Sequence, residues 1–185
     1  MGFYTGFQTE AGGGSAVYTG FNPEPVKGLY VRGVIMPGHR PDVISAFTVR
    51  ASGFREGAAT VSDGTGRVLF TGVRSWNLVT FTRNSDSTVT ASHRGYDVYD
   101  SAGNGAALSA AVRALPAGTD VCVFTYDEPF SNKSSIISAL LTLGATQAGL
   151  NALPFRGSYI LTGRKGMTPG QGKEYQVSQG CAGEG

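Results

Sequence analysis

The sequence has little charge, little cysteine and no long apolar run. Charged side chains are 15% of its 185 residues, and 15 basic residues nearly balance 13 acidic ones. The basic residues are scattered, which argues against a nucleic-acid partner. No segment approaches the roughly 18 apolar residues of a membrane-spanning helix. A basic segment followed by an apolar one is also missing from the N-terminus, so we expect neither membrane insertion nor a secretory signal.

Metal-binding and catalytic side chains are equally scarce. The two cysteines are Cys122, in an apolar run that favours a buried thiol, and Cys181, in a glycine-rich segment. Nothing in their spacing demands a disulfide, so that pairing stays open. The two histidines, His39 and His93, lack a recognisable catalytic context and are interpreted as surface or turn residues. Because no CxxC or HxxxH pattern occurs, we expect no metal and no cofactor.

The one pair of adjacent acidic residues is also a poor candidate for a catalytic pair. Asp127 and Glu128 are adjacent at the end of an apolar run that predicts a strand. Neighbouring residues on a strand point to opposite faces, so their carboxylates would not act together on one bond. We therefore expect a protein that is not an enzyme.

What the sequence does contain begins with an aromatic repeat in the first 41 residues. A Tyr-Thr-Gly-Phe motif runs from Tyr4 to Phe7 and occurs again from Tyr18 to Phe21, with three glycines between the copies. This segment has too little apolar periodicity to form a core of its own. Its aromatic residues nevertheless distinguish it from disordered tails, which are usually depleted in aromatics. A flexible terminus and an arm that docks on a neighbouring subunit both stay open. We interpret residues 1–41 as a docking arm, which implies a homo-oligomer or a larger assembly.

From residue 42 onward, strand patterns alternate with two helical patterns. The order is strands, helix, strand, helix, strand, which is typical of an α+β domain over residues 42–167. Residues 168–185 are glycine-rich and polar and are interpreted as a tail. The predicted strands are a short one at 29–35, before this domain, and 43–50, 58–62, 67–71, 76–83, 88–92, 120–126 and 159–162. The predicted helices are 105–115 and 133–143.

Six short segments resemble one known family when they are taken in order and spacing. Together they are similar to the interleukin-like EMT inducer domain, over about residues 43–167. Ser75 stands where the family motif has glycine, and the paired cysteines of the secreted animal members are not reproduced. The segments are RSWNLV at 74–79, YDVY at 96–99, LPAGTDV at 115–121, YDEP at 126–129, LLTLGA at 140–145 and FRGSYILTGRKG at 155–166.

The resemblance implies a fold and a candidate site. The fold is α+β, with two antiparallel β-sheets packed with two main helices, here preceded by an irregular N-terminal arm. The family includes secreted signalling proteins and a sugar-binding stem domain of a glycosyltransferase, whose sugar contacts map to Arg74, Asp127 and Arg156. The same three residues could instead form a structural ion-pair cluster. Candidate aromatic side chains for stacking on a sugar are Trp76, Tyr126, Phe155 and Tyr159.

The domain also resembles modules of tailed-phage structural proteins. With the aromatic arm and the low charge, this favours a virion component assembled in the host cytoplasm. The expected role is in a phage tail, a tail fibre or another part that contacts the host receptor, with host glycans among the expected partners. Other tail subunits would bind through the arm. The alternative is a secreted or cell-surface module that binds carbohydrate or signals.

Overall fold

The computed structural model describes residues 29–32, 47–54, 56–86 and 88–177. These residues form a strand-rich domain in which three α-helices and one 3₁₀ turn accompany nine strands. The strands are β1 Leu29–Arg32, β2 Phe47–Gly53, β3 Thr60–Asp63, β4 Val68–Thr71, β5 Ser75–Arg83, β6 Val89–Tyr96, β7 Asp120–Asp127, β8 Ser158–Arg164 and β9 Lys173–Val177. The helices are α1 Ala102–Ala114, α2 Ile137–Leu141 and α3 Gln147–Ala152, and the 3₁₀ turn is Lys133–Ser135.

The strands join into a mixed sheet. Strands β1 to β4 form one antiparallel ladder around β2 and β3, and β5 to β9 form another through β7 and β8. A short parallel pairing connects them, with Ser52 opposite Tyr126 and Gly53 opposite Asp127. The α+β class is therefore confirmed. The expectation of two separate sheets is not, because hydrogen bonds connect all nine described strands.

Strand β7 lies between two hydrophobic cores. Val121 and Val123 pack in a core with the helices, whereas Cys122 and Phe124 pack in a second core with residues of β2 and β3. All four side chains are buried, which confirms the prediction of a strand covered on both faces. Burial raises the pKa of the Cys122 thiol, so this cysteine behaves as a small apolar residue.

Helix α1 begins where its capping residue predicts. The Ser101 side chain accepts a hydrogen bond from the Asn104 amide, which satisfies a free N–H of the first turn. The helix therefore starts at Ala102, three residues before the predicted start at Gly105. Its buried Leu108 and Val112 face the sheet. None of the helices in the described part of the chain is long and apolar enough to cross a membrane.

The second predicted helix, at 133–143, is wrong as one continuous element. It divides into the 3₁₀ turn and the short helix α2, and a further helix, α3, follows. Asn132, before the turn, has a left-handed φ of 57°, and its carbonyl oxygen accepts from the Ser135 hydroxyl at 2.7 Å. Such local side-chain bonds compete with a regular helix. Leu140 is nevertheless fully buried, and Gly144 ends the segment with a φ of 96°, as a C-terminal glycine cap predicts.

Both ends of the described chain extend the sheet beyond residues 42–167. Strand β1 lies within the predicted arm and pairs with β2. Strand β9 lies within the predicted tail and pairs with β8 along its length, so the tail prediction is wrong for residues 168–177. Cys181 and the aromatic residues of the arm lie outside the described residues: Tyr4, Phe7, Tyr18 and Phe21.

Two glycines near the C-terminal end of the described chain, Gly163 in β8 and Gly172 before β9, serve close packing of backbones. The Gly172 amide donates to the Gly144 carbonyl at 2.9 Å, which brings the turn before β9 onto the end of α2. A Cβ atom on Gly163 would lie only 1.9 Å from the Leu143 carbonyl oxygen. Glycine is required where two backbones approach this closely, and composition alone does not separate that use from a linker.

Candidate functional site

Five strand ends meet at one edge of the sheet, which we call the site edge. Because most neighbouring strands are antiparallel, β2, β6 and β7 end there, and β5 and β8 begin there. Ser75, the first residue of β5, lies opposite Tyr126 near the end of β7. A Cβ atom on Gly53 would lie 2.6 Å from the Arg156 carbonyl oxygen, so the segment before β8 also reaches this point. The predicted ligand residues therefore share the site edge: Arg74, Asp127 and Arg156.

Backbone strain is concentrated at the site edge. The φ angles are 75° at Ser75, 61° at Asp127 and 57° at Arg156. A left-handed conformation costs a residue with a side chain about 1–2 kcal/mol. Residues in such conformations cluster at ligand-binding sites, where the surrounding structure holds them in place. Three strained residues at one edge therefore mark it as the candidate functional site.

The Asp127 carboxyl group is the central acceptor of the site. It is half-buried and accepts no hydrogen bond from any residue that the structure describes. Burial raises the pKa of Asp127, while the positive charges of Arg156 and Arg74 act in the opposite direction. A half-buried carboxylate under the influence of two guanidinium charges, with its hydrogen-bonding capacity unused, is suited to accept hydrogen bonds from a polar ligand.

Arg74 is held by an acidic residue that the sequence interpretation missed. Its Nε lies 3.0 and 2.9 Å from the two Asp97 carboxylate oxygens, and its Nη2 lies 2.6 Å from one of them. The guanidinium group also lies over the Tyr99 ring, 4.5 Å from its centroid. These contacts fix the orientation of the arginine and leave other N–H donors unused, because a guanidinium group carries five.

Arg156 is positioned by aromatic rings. Its guanidinium carbon lies 3.7 Å from the centroid of the Phe54 ring and 5.0 Å from that of Phe155. Its Nε is buried and has no hydrogen-bond partner within the described ranges. No ion pair joins Asp127 to Arg74 or Arg156 among the residues described. The structural ion pair at this edge is therefore Arg74–Asp97, and a cluster of the three predicted residues is not formed.

Comparison with known protein families assigns this domain to one of them. The family model described as interleukin-like EMT inducer matches residues 74–167, just over half of the 185 residues. The chain belongs to this family. The match begins at Arg74 and includes Asp127 and Arg156, which confirms the resemblance read from the six sequence segments. No curated protein matches the chain.

Two of the four predicted stacking aromatics belong to the core of this interleukin-like EMT inducer domain. Trp76 and Tyr159 are fully buried and contact each other edge to face, with ring centroids 5.6 Å apart. The Trp76 indole N–H donates to the Pro129 carbonyl at 2.9 Å, and the Tyr159 hydroxyl donates to Glu174 at 2.6 Å. The prediction that they offer a face to a ligand is wrong, because both rings are buried and their polar atoms are hydrogen-bonded within the fold.

The other two predicted aromatics differ in exposure. Tyr126 is half-buried and packs against the core beneath β2 and β3. Phe155 is 51% exposed beside Arg156 and is the predicted aromatic with the most accessible ring. Aromatic character alone did not separate these cases, because the same residue types fill cores and line binding sites.

The sequence interpretation missed several residues of the family domain's site edge. Tyr99 and Phe130 are 43% and 44% exposed, and Lys133 lies over the Phe130 ring at 4.4 Å from its centroid. Phe54, which covers Arg156, comes from the β2–β3 connection, outside the segments that carry the family resemblance. Their position in the chain could have identified two of them, because Tyr99 and Phe130 lie in the connections that directly follow β6 and β7.

His93 is not the surface or turn residue that we expected. It lies in β6, half-buried, between the Phe70 and Phe124 rings, with centroid distances of 5.4 and 5.8 Å. Its Nε2 is 3.0 Å from the Asn77 side-chain oxygen, and burial lowers the pKa of the imidazole. His93 thus serves the second core, and His39 lies outside the described residues.

Proposed function

We propose that this chain is a non-enzymatic virion component that binds carbohydrate at the site edge, most directly in a phage tail or tail fibre that contacts the host. The Asp127 carboxyl group carries the proposal. It is half-buried between the charges of Arg156 and Arg74 and accepts no hydrogen bond within the described chain. The Asp127 oxygens are not fully buried, so a ligand can reach them and replace the water that they would otherwise bind.

Sugar chemistry fits these groups. A carboxylate accepts hydrogen bonds from two neighbouring hydroxyl groups, and guanidinium groups donate to ligand oxygens in a fixed geometry. The exposed ring of Phe155 offers an apolar surface to the C–H face of a sugar ring. Binding sites for small molecules combine such apolar surface with a few well-placed polar groups.

The environment of Glu128 supports a binding role over hydrolysis. Its side chain is 2% exposed, and its carboxylate accepts hydrogen bonds from the backbone amides of Phe130 and Ser131 at 2.8 and 3.2 Å. It therefore holds the connection after β7 and does not join Asp127 as a second catalytic carboxylate. Glycoside hydrolysis normally requires two such groups on either side of the scissile bond.

The virion setting rests on sequence features. The chain is poor in charge and carries two copies of a Tyr-Thr-Gly-Phe motif in residues 1–41. We propose that this arm binds other tail subunits or further copies of the chain, with no nucleic-acid partner. Mass spectrometry of purified virions tests the setting directly. Absence of the chain from virions would favour the alternative, a secreted or cell-surface carbohydrate-binding module.

A glycan array tests the binding function separately. The array would present mono- to hexasaccharide fragments of bacterial O-antigens and capsules, together with animal N- and O-glycans. We expect Asp127→Asn to abolish the binding seen for the wild-type chain, while its Tm changes by no more than about 2–4 °C, the equivalent of roughly 1 kcal/mol.

The matched control is Asp86→Asn. Asp86 lies in the β5–β6 turn, at the opposite end of β5 from Ser75, and its accepting oxygen is retained in asparagine. This variant should bind as the wild type does. A structural role for Asp127 would give the reverse pattern, in which binding persists and the Tm falls by more than about 4 °C.

A further inference from the structure

Three exposed aromatic side chains lie along the site edge, and we call them the aromatic rim: Tyr99, Phe130 and Phe155. They are 43%, 44% and 51% exposed, and the other large hydrophobic residues exposed in the described chain are two valines. A cation lies near each ring, at 4.5 Å from the Tyr99 centroid, 4.4 Å from Phe130 and 5.0 Å from Phe155. Exposed aromatic surface concentrated in one place marks an interaction site.

The three segments that carry the rim are hydrogen-bonded to one another. The Asn132 side-chain amide donates to the Val98 carbonyl at 3.0 Å and the Tyr99 carbonyl at 3.4 Å. The Lys133 ammonium group donates to the Leu153 carbonyl at 2.8 Å, two residues before Phe155. The segment that contains Phe130 therefore lies between the segments that contain the other two aromatics.

The same segment connects the rim to Asp127 and is held firmly. The buried Glu128 carboxylate accepts from the Phe130 amide at 2.8 Å, and the buried Trp76 indole fixes the Pro129 carbonyl at 2.9 Å. Phe130 thus lies three residues after Asp127, the candidate sugar-binding residue. The connection that carries it is held by two buried side chains, Glu128 and Trp76. A surface that is ordered before binding loses little conformational entropy when a ligand arrives.

We propose that the aromatic rim extends the Asp127 site into a surface for an oligosaccharide of at least two sugar units. The inference rests on the proposed carbohydrate-binding function. One sugar occupies the groups around Asp127, Arg156 and Phe155, and the next unit stacks on Phe130 and Tyr99. Three exposed rings on separate segments offer more than one stacking face, and a chain of sugars presents one C–H face after another.

The charges within the rim favour a sugar over a protein partner. Each ring has a cation beside it, and Asp97 and Asp127 lie at the same edge. Protein interfaces are enriched in aromatic residues and arginine but depleted in Lys, Asp and Glu. Lys133, Asp97 and Asp127 are therefore the charged residues of this edge that favour a sugar. Alternating apolar faces and charged hydrogen-bonding groups match an oligosaccharide, in which apolar ring faces alternate with hydroxyl groups.

The experiment measures affinity against oligosaccharide length for the full chain. A fragment that binds on the array would be compared, by isothermal titration calorimetry, with its terminal monosaccharide. We expect the wild-type chain to bind the di- or trisaccharide about tenfold more tightly, equivalent to about 1.4 kcal/mol. Phe130→Ala should remove most of this gain and leave monosaccharide affinity unchanged. Tyr99→Ala should also remove the gain, and because the Tyr99 ring packs against Arg74, its monosaccharide affinity should fall as well. Val68→Ala, at a residue that is 54% exposed on β4, is the control and should keep the gain.

Other results would overturn the inference in distinguishable ways. Equal affinity for mono- and oligosaccharides, or an unchanged length dependence in Phe130→Ala and Tyr99→Ala, would leave the glycan-binding function and remove the extended surface. Loss of monosaccharide binding in Phe130→Ala would place that ring in the primary site, which also contradicts the extended surface. If no glycan binds and Phe130→Ala instead lowers incorporation of the chain into virions, the rim is a protein interface and both proposals fail.

Discussion

At the scale of single residues, Ser75 carries two unfavourable features at once. Its φ is 75°, and its buried hydroxyl has no hydrogen-bond partner in the described chain. Glycine adopts this φ without the cost of about 1–2 kcal/mol, although its greater freedom in the unfolded state offsets about 0.5–1 kcal/mol. Removal of the unsatisfied hydroxyl adds to the gain. We predict that Ser75→Gly raises the free energy of unfolding by about 1 kcal/mol, measured by urea denaturation.

Ser75→Ala separates the two features. Alanine removes the hydroxyl but keeps a Cβ atom at a left-handed φ, so this variant should be less stable than Ser75→Gly. A Ser75→Gly chain that is less stable than the wild type would contradict the interpretation, and would mean that the serine hydroxyl contributes more than its geometry indicates.

Asp127 predicts a pH dependence of stability. Burial raises the pKa of its carboxyl group in the folded state, despite Arg156 and Arg74. The folded state therefore holds this proton more tightly than the unfolded state does. The stability that this group contributes is present below about pH 3.9, the ordinary Asp pKa, and is lost as the pH rises through the raised folded value. We predict that Asp127→Asn gains stability relative to the wild type over this interval, measured by urea unfolding at several pH values.

Asp86 provides a control of opposite sign. Hydrogen bonds from the Thr88 side chain and backbone lower the pKa of Asp86. Its contribution is present above the unfolded pKa and is lost as the pH falls through the lowered folded value. Relative to the wild type, Asp86→Asn should therefore lose stability as the pH rises toward about 3.9. Identical pH profiles for the wild type and Asp127→Asn would contradict a raised pKa at Asp127.

At the scale of elements, one carboxylate attaches β9 to the rest of the fold. Glu174 accepts from the Tyr159 hydroxyl at 2.6 Å, and from the Thr146 amide and hydroxyl at 2.9 and 2.6 Å. Thr146 also caps α3, since its side chain accepts from the Gly149 amide at 2.9 Å. A single side chain of β9 thus joins β8 and the start of α3.

We predict that Glu174→Ala lowers the free energy of unfolding by about 2–4 kcal/mol, because the buried Tyr159 hydroxyl and the Thr146 groups lose their acceptor. Urea denaturation measures the change, and hydrogen exchange should show earlier opening of β9. In a Tyr159→Phe background the same substitution should cost at least about 0.5 kcal/mol less, since the unsatisfied hydroxyl is gone. Strictly additive effects of the two substitutions would contradict a direct bond between them.

Elements were predictable from sequence where their signals are local. The Asp63–Gly66 turn between β3 and β4, the strand β7 and the Ser101 cap of α1 each depend on neighbouring residues. The continuous helix at 133–143 was wrong because its apolar content indicates burial, not backbone regularity. The side-chain bond from Ser135 to the Asn132 carbonyl and the left-handed Asn132 interrupt it.

At the scale of the whole molecule, the sheet extends beyond the family match at both ends. Strand β1 pairs with β2 before the matched residues 74–167, and β9 pairs with β8 after them. A chain that begins at residue 29 keeps β1 and should reach the same urea midpoint as the full chain. A chain that begins at residue 42 lacks β1 and should unfold at a lower urea concentration, because β2 loses one of its partners.

The same two chains test the docking arm. If residues 1–28 mediate assembly, the chain that begins at residue 29 should elute as a monomer from a size-exclusion column, while the full chain elutes as a larger species. Unfolding of the chain that begins at residue 29 would mean that the removed residues belong to the core, which would contradict a docking role.

The sequence by itself determined the α+β class, the family and three residues that share one sheet edge: Arg74, Asp127 and Arg156. Motifs and strand patterns are local, so they can be read from neighbouring residues. Only the tertiary structure decided that Arg74 pairs with Asp97 and that Tyr159 is covered by Glu174 of β9. Those contacts join residues that are distant in the chain. Which partner a charged or aromatic side chain meets depends on strand pairing and packing, and no local pattern specifies it.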